Sequence, residues 1–138
     1  MVLATAKLIK AAYPDILTVA GGVNARNRLR QFLGGGFDIV FLSEAELGIQ
    51  RLVNKLRSGD LDLRDMTGIA FKDGDRIVVN RTRPDDIVTD LDRTPLPAWH
   101  LLPNERYWKI ARPHGGHFES AADLGYSSMM TSLGCIFT

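Results

Sequence analysis

Thiols are nearly absent from this chain. Cys135 is the only cysteine in 138 residues. One thiol forms no internal disulfide and alone builds no metal site, so a disulfide-stapled scaffold is excluded and a reducing, cytoplasmic setting is expected. Long apolar runs are missing too. None approaches the ~20 residues that a membrane span needs, and the opening MVLATAKLIKAAYPD holds too short an apolar stretch for a signal peptide. Neither sign of charge dominates: the net charge is +1, which gives no electrostatic case for nucleic acid or an anionic membrane as partner. No internal repeat is present. What remains is ordinary globular material, 45% hydrophobic and 24% charged, the size of one modest domain.

The patterning is more informative. Val2, Ala6, Ile9 and Tyr13 recur at helical spacing until Pro14 intervenes. Ile16 to Ala20 (ILTVA) and Ile39 to Leu42 (IVFL) are short, continuous apolar runs of the kind buried on both faces of a parallel sheet. The first opens into Gly21-Gly22. Asn24 then offers an N-cap to a helix carrying Leu29, Phe32 and Leu33, stopped by Gly34-Gly35-Gly36. Ser43-x-x-Glu46 reads as a capping box for a helix striped by Ile49, Leu52, Val53 and Leu56 and ended by Gly59. Helix, strand, helix, strand, helix marks an α/β layer. The spacing then predicts a β-hairpin over 68–80 around Asp73-Gly74, with a type I′ turn. A polar stretch with Pro84, Pro95, Pro97 and Pro103 follows, read as a linker pinned by Leu96, Trp99, Leu101 and Leu102. Residues 126–132 form a possible last strand.

Two parallel strands are few for a doubly wound sheet, which usually has ~5–6. The expectation is therefore a piece of a larger protein, lacking the front of one domain and everything after Cys135. Self-association through exposed sheet edges is expected for the same reason.

The order strand, Gly-Gly, helix, then DIVFLSEAE, the Asp-Gly hairpin, DLDRTPLPAWHLLP and finally TSLGC resembles the cobalamin-binding radical SAM proteins, nearest their oxidative cyclase-like branch, from Lys7 to Thr138. The resemblance implies the back half of a Rossmann-like (flavodoxin-like) cobalamin domain over 1–80, an interdomain linker over 81–124, and the first strand of a radical SAM barrel over 125–138. It implies cobalamin contacts from Gly21, Gly22 and Val23 and from Ser43, Glu44 and Glu46. It makes Cys135 the first ligand of a Cys-x-x-x-Cys-x-x-Cys motif, with the [4Fe–4S] cluster and S-adenosylmethionine held only by the parent protein. The family commonly continues Gly-Gly with Pro-His-Ala where this chain has Val23-Asn24-Ala25, and has glycines at the positions of Ser43 and Ala45. The Asp-x-His-x-x-Gly motif that supplies a lower histidine ligand in other B12 proteins is not found here, as in many members of the radical family.

Plainer readings stand beside these. Gly21-Gly22 suits any strand-to-helix turn, and Ser43 with Glu46 is first a helix cap. His114 and His117 lack a convincing third metal ligand. Asp85-Asp86 and Asp90/Asp92 read as solvated linker charges, and Arg26, Arg28 and Arg30 as a solvated helix face. No residue of this chain is expected to be catalytic. The expectation is a fragment of a B12-dependent radical SAM oxidoreductase or methyltransferase, inactive in isolation. The alternative is a non-catalytic, receiver-like or protein-binding α/β module completed by self-association.

Overall fold

The computed structural model describes residues 1–110. The chain divides into two units, one of residues 1–93 and one beginning at Thr94. The first is an α/β layer. Helix α1 (Val2–Ala12) leads to strand β1 (Val19–Ala20), short helices α2 (Gly22–Asn27) and α3 (Leu29–Gly34), strand β2 (Ile39–Phe41), helix α4 (Glu46–Ser58), and the hairpin β3 (Ile69–Asp73) and β4 (Arg76–Asn80). The sheet order is β1-β2-β3-β4. Strands β1 and β2 are parallel, in register Val19 to Ile39 and Ala20 to Val40, while β3 is antiparallel to β2 and β4 to β3. This four-stranded open sheet is compatible with part of a Rossmann-like fold.

Strand alternation sorts the core into two layers. Ile39, Phe41, Ile69 and Phe71 face Leu52 of α4 and Met66, with Val78 packed beside them. Val40 and Ala70 face Ala25 of α2 and Leu33 of α3, with Ile77 alongside. Both faces of the sheet are thus covered, which explains why IVFL is apolar without a break. Burying side chains such as Ile39 and Ile69 completely contributes roughly 1.5–3 kcal/mol each.

Several local expectations are corrected. Only Val19 and Ala20 of ILTVA pair; Ile16 and Leu17 are exposed. The helix expected after Asn24 is two helices broken at Arg28 (φ −128°, ψ 42°), and Asn24 lies inside the first. The hairpin forms, but its central residues are Gly74-Asp75 and only Gly74 has positive φ, at 61°. Type I′ needs positive φ at both positions, so the turn follows the II′ pattern. In α4 the apolar stripe is mostly uncovered: Leu52 is buried, whereas Ile49, Val53 and Leu56 are exposed.

Neighbours for the two parallel strands come partly from within. Strand β2 is flanked on both sides, by β1 and β3, whereas β1 and β4 are the outer strands. The loop from α4 back to β3 is held by Asn80, whose Nδ2 donates to the carbonyls of Leu63 (2.8 Å) and Met66 (2.8 Å).

In the second unit, a 3-10 turn at Trp99–Leu101 precedes α5 (Asn104–Ile110), and Asn104 Nδ2 donates to the Trp99 carbonyl at 2.9 Å. The apolar residues expected to pin the linker are exposed, Leu96 by 91% and Leu101 by 73%. The possible strand over 126–132, His114, His117 and Cys135 lie outside the described residues.

Candidate functional site

In open α/β sheets, ligands bind outside the carboxyl ends of the parallel strands. The β1/β2 register brings two loops to that edge. Strand β1 ends at Ala20, Gly21 is extended (φ −147°, ψ −178°), and Gly22 has φ +83°. Strand β2 ends at Phe41 and runs through Leu42, Ser43, Glu44 and Ala45 into α4. A Cβ built on Gly21 would sit 3.9 Å from Phe41 Cβ, so the loops are adjacent at their roots. A Cβ on Gly22 would meet nothing within 4 Å. Val23, next to it, is 61% exposed. The first loop therefore presents bare backbone and one apolar side chain to open space.

The second loop differs from its expected form. Ser43 is not an N-cap: α4 starts at Glu46, its cap is Ala45, and no side chain bonds to the first amides. The Ser43 hydroxyl instead lies 3.4 Å from the Glu44 carbonyl oxygen, a long local hydrogen bond. Glu44 is half-buried and Glu46 is exposed in the first turn of α4. A carboxylate in a first turn is favoured by the helix dipole, and the uncapped amides around it remain able to donate to a polar ligand. Arg26 of α2 reaches across the gap between the loops, its Nη1 3.5 Å from the Leu42 carbonyl oxygen. So Gly21, Gly22, Val23, Ser43, Glu44 and Glu46 share one edge of the sheet. Cys135, the expected cluster ligand, falls outside the described residues.

The same edge holds a polar lock that the solvated-linker reading missed. Asp86 is 4% exposed, not solvated. It sits in a 3-10 turn (Pro84–Asp86), and its carboxylate accepts hydrogen bonds from the Thr67 hydroxyl (2.6 Å), the Arg83 amide (2.7 Å) and the Arg51 guanidinium of α4. Arg51 also donates to the Asp85 carbonyl at 2.7 Å. Burial pushes the Asp86 carboxyl up, but the Thr67, Arg83 and Arg51 donors outweigh it and hold the group below the usual carboxylate value. Thr67 precedes Gly68, whose carbonyl accepts from the Leu42 amide at 2.9 Å. The lock thereby braces the root of the Ser43 loop. Pro at the first turn position with Asp two residues on was the one available signal.

At the opposite edge, Asp38 Oδ2 accepts from the Thr18 amide (2.7 Å) and hydroxyl (2.8 Å) and pairs with Lys10 of α1 (2.7 Å). Its carboxyl too lies below the usual value: burial raises it, and the Lys10 and Thr18 donors more than reverse that. Among the described residues, no group of three His, Cys, Asp or Glu is placed to hold a metal ion, and no helix is long and apolar enough to cross a membrane.

Comparison with known proteins places the chain beside methyltransferases. It is similar to an uncharacterized methyltransferase of Pyrococcus horikoshii, 27% identical over 134 residues that cover 96% of this chain and 26% of the relative. It is also similar to the cytidylyl-2-hydroxyethylphosphonate methyltransferase of Streptomyces wedmorensis, 28% identical over 149 residues, or 94% of this chain and 27% of the relative. The chain thus spans about a quarter of the length of these curated relatives. No family model and no solved structure matches it.

Proposed function

We propose that this chain is the cobalamin-facing segment of a B12-dependent radical SAM methyltransferase, with Gly21, Gly22, Val23, Ser43, Glu44 and Glu46 lining the cofactor. The observation that carries the reading is the juxtaposition of the Gly21-Gly22 backbone, open above Gly22, with the Ser43–Glu46 loop at the carboxyl edge of β1 and β2. A corrin ring is broad and rimmed by amide groups. A bare glycine backbone lets such a ring approach, and Glu44 and Glu46 supply acceptors for its amides. Methyltransferase names among the relatives support a methyl-transfer class and the use of S-adenosylmethionine.

In the parent, Cys135 would supply one thiolate to a [4Fe–4S] cluster. A cubane that leaves one iron for S-adenosylmethionine needs three, so two must come from outside this chain, which is not catalytic alone. When bound, cobalamin supplies a cobalt centre that carries the methyl group, and the cluster with S-adenosylmethionine supplies the radical. The residues here bind and orient.

The test is titration of this chain with hydroxocobalamin, followed by visible absorbance and equilibrium dialysis. Saturable binding, weakened at least about tenfold by Val23→Glu at an exposed position with the thermal transition retained, is expected. Absence of saturable binding sinks the proposal. A second reading, a non-catalytic α/β module completed by self-association, draws on the outer position of β1 and β4. It is favoured if cobalamin fails to bind and sedimentation shows a dimer.

A further inference from the structure

Away from the carboxyl edge, on the sheet face covered by α2 and α3, those helices stop short of the outer strand. Ala70 of β3 is fully buried beneath them, but Val79 of β4 is 48% exposed and Ile77 half-buried. Both share a groove with Arg26, Asn27, Arg28, Leu29, Arg30 and Gln31. The break at Arg28 shapes it, because a continuous helix would keep Arg26 and Arg30, four residues apart, on one face and turn Arg28 to the other. Here all three line one depression. Lys72, two residues from Ala70 and paired with Ile77, extends from the same face. Among the described residues, no carboxylate lines the groove, and neither Arg28 nor Arg30 has an ion-pair partner. In the same unit Lys10 pairs with Asp38, Arg51 with Asp86, Lys55 with Asp60 and Asp65, and Arg64 with Asp73.

We infer that this groove between α2–α3 and β4 is a docking surface for an acidic amphipathic protein segment, whose carboxylates meet Arg28 and Arg30 and whose apolar residues cover Ile77 and Val79. Charge complementarity selects the partner's sign, and the apolar floor selects its amphipathic character. Arginine is suited to such contacts because its planar fork pairs with carboxylates in two-point geometry. The groove has no aromatic platform on which bases could stack, which separates it from a single-stranded nucleic acid site. This inference does not depend on cobalamin binding.

The experiment titrates the full chain into a fluorescein-labelled amphipathic peptide of Glu, Leu and Ala, read by anisotropy. A Lys-for-Glu peptide and a single-stranded RNA oligonucleotide run in parallel. Saturable binding of the acidic peptide alone is expected, weakening with salt. Arg28→Glu/Arg30→Glu weakens it at least about tenfold, and so does Val79→Asp, which removes the apolar contact. The thermal transition of each variant, measured alongside, confirms that it is folded; Arg28→Gln/Arg30→Gln serves if the charge reversal is not. Equal binding of RNA, indifference to the arginine variants, or no saturable binding of the acidic peptide overturns the inference.

Discussion

Gly68 and Asp86 are fitted backbone to carboxylate. A Cβ on Gly68 would lie 3.3 Å from Asp86 Oδ2, and Gly68 itself has φ +72°. A side chain at position 68 is thus penalised twice, by its own backbone and by a carboxylate that cannot retreat without giving up its donors. Gly68→Ala is expected to destabilise the chain by about 1–3 kcal/mol, measured by urea unfolding. An unchanged midpoint would show that the turn relaxes freely.

Asp86 itself yields a prediction in pH. Asp86→Ala strands the Arg51 guanidinium, the Thr67 hydroxyl and the Arg83 amide, and is expected to cost about 2–4 kcal/mol at neutral pH. A carboxylate whose folded pKa lies below its unfolded value adds stability above the unfolded value and loses it as the pH falls through the folded one. The direction found for Asp86 places that loss below about pH 4. The wild-type chain should lose stability as pH falls from about 4 towards 2, and Asp86→Asn should show a shallower loss over the same range. Asp38 contributes in the same direction, so the slope is reduced and not abolished. Parallel acid limbs for the two proteins would rule out Asp86 as a linked group.

How far this architecture was legible follows from the range of the interactions that make it. Features set by neighbours were readable. The IVFL strand, the Asp73-Gly74 hairpin and the stop at Gly59, whose left-handed backbone donates to the Lys55 and Leu56 carbonyls, are written in a few consecutive residues. Asp86 was not, because its partners Arg51 and Thr67 lie 35 and 19 residues away. An Asp beside Asp85 and Pro84 carries every local sign of solvation. Ser43 misled for the opposite reason. Its S-x-x-E spacing is right, but α4 begins three residues later, after the loop has served the strand edge. Of the expected site, the two loops were readable as strand-end turns; their closeness needed the parallel register, and the Asp86 brace needed the fold.

Helix α4 meets the sheet through its smallest residue. A Cβ on Gly48 would lie 2.7 Å from Phe41 Cε1 and 2.9 Å from Cδ1, well inside contact distance. Helix propensity alone favours alanine here by roughly 0.5–1 kcal/mol. The clash with a buried ring should win, so Gly48→Ala is expected to destabilise by about 1–3 kcal/mol. Phe41→Leu alone opens a gap and costs stability. Combined, the two changes should cost less than their sum, a coupling of about 0.5–3 kcal/mol in a double-mutant cycle. Additive effects would mean that α4 shifts away from the ring instead.

Ser43 separates stability from binding. As an N-cap its loss would cost about 1 kcal/mol. With its hydroxyl spent on a long local bond to the Glu44 carbonyl, Ser43→Ala should change unfolding free energy by less than about 0.5 kcal/mol. Glu44→Gln, which removes a charge from the same loop, should be similarly mild, since no ion pair of Glu44 is present among the described residues. If the loop lines a cobalamin site as proposed, both changes should still weaken hydroxocobalamin binding severalfold while the urea midpoint holds. A stability loss near a full cap's worth would instead return Ser43 to the head of α4, and with it the loop geometry on which the proposed site depends.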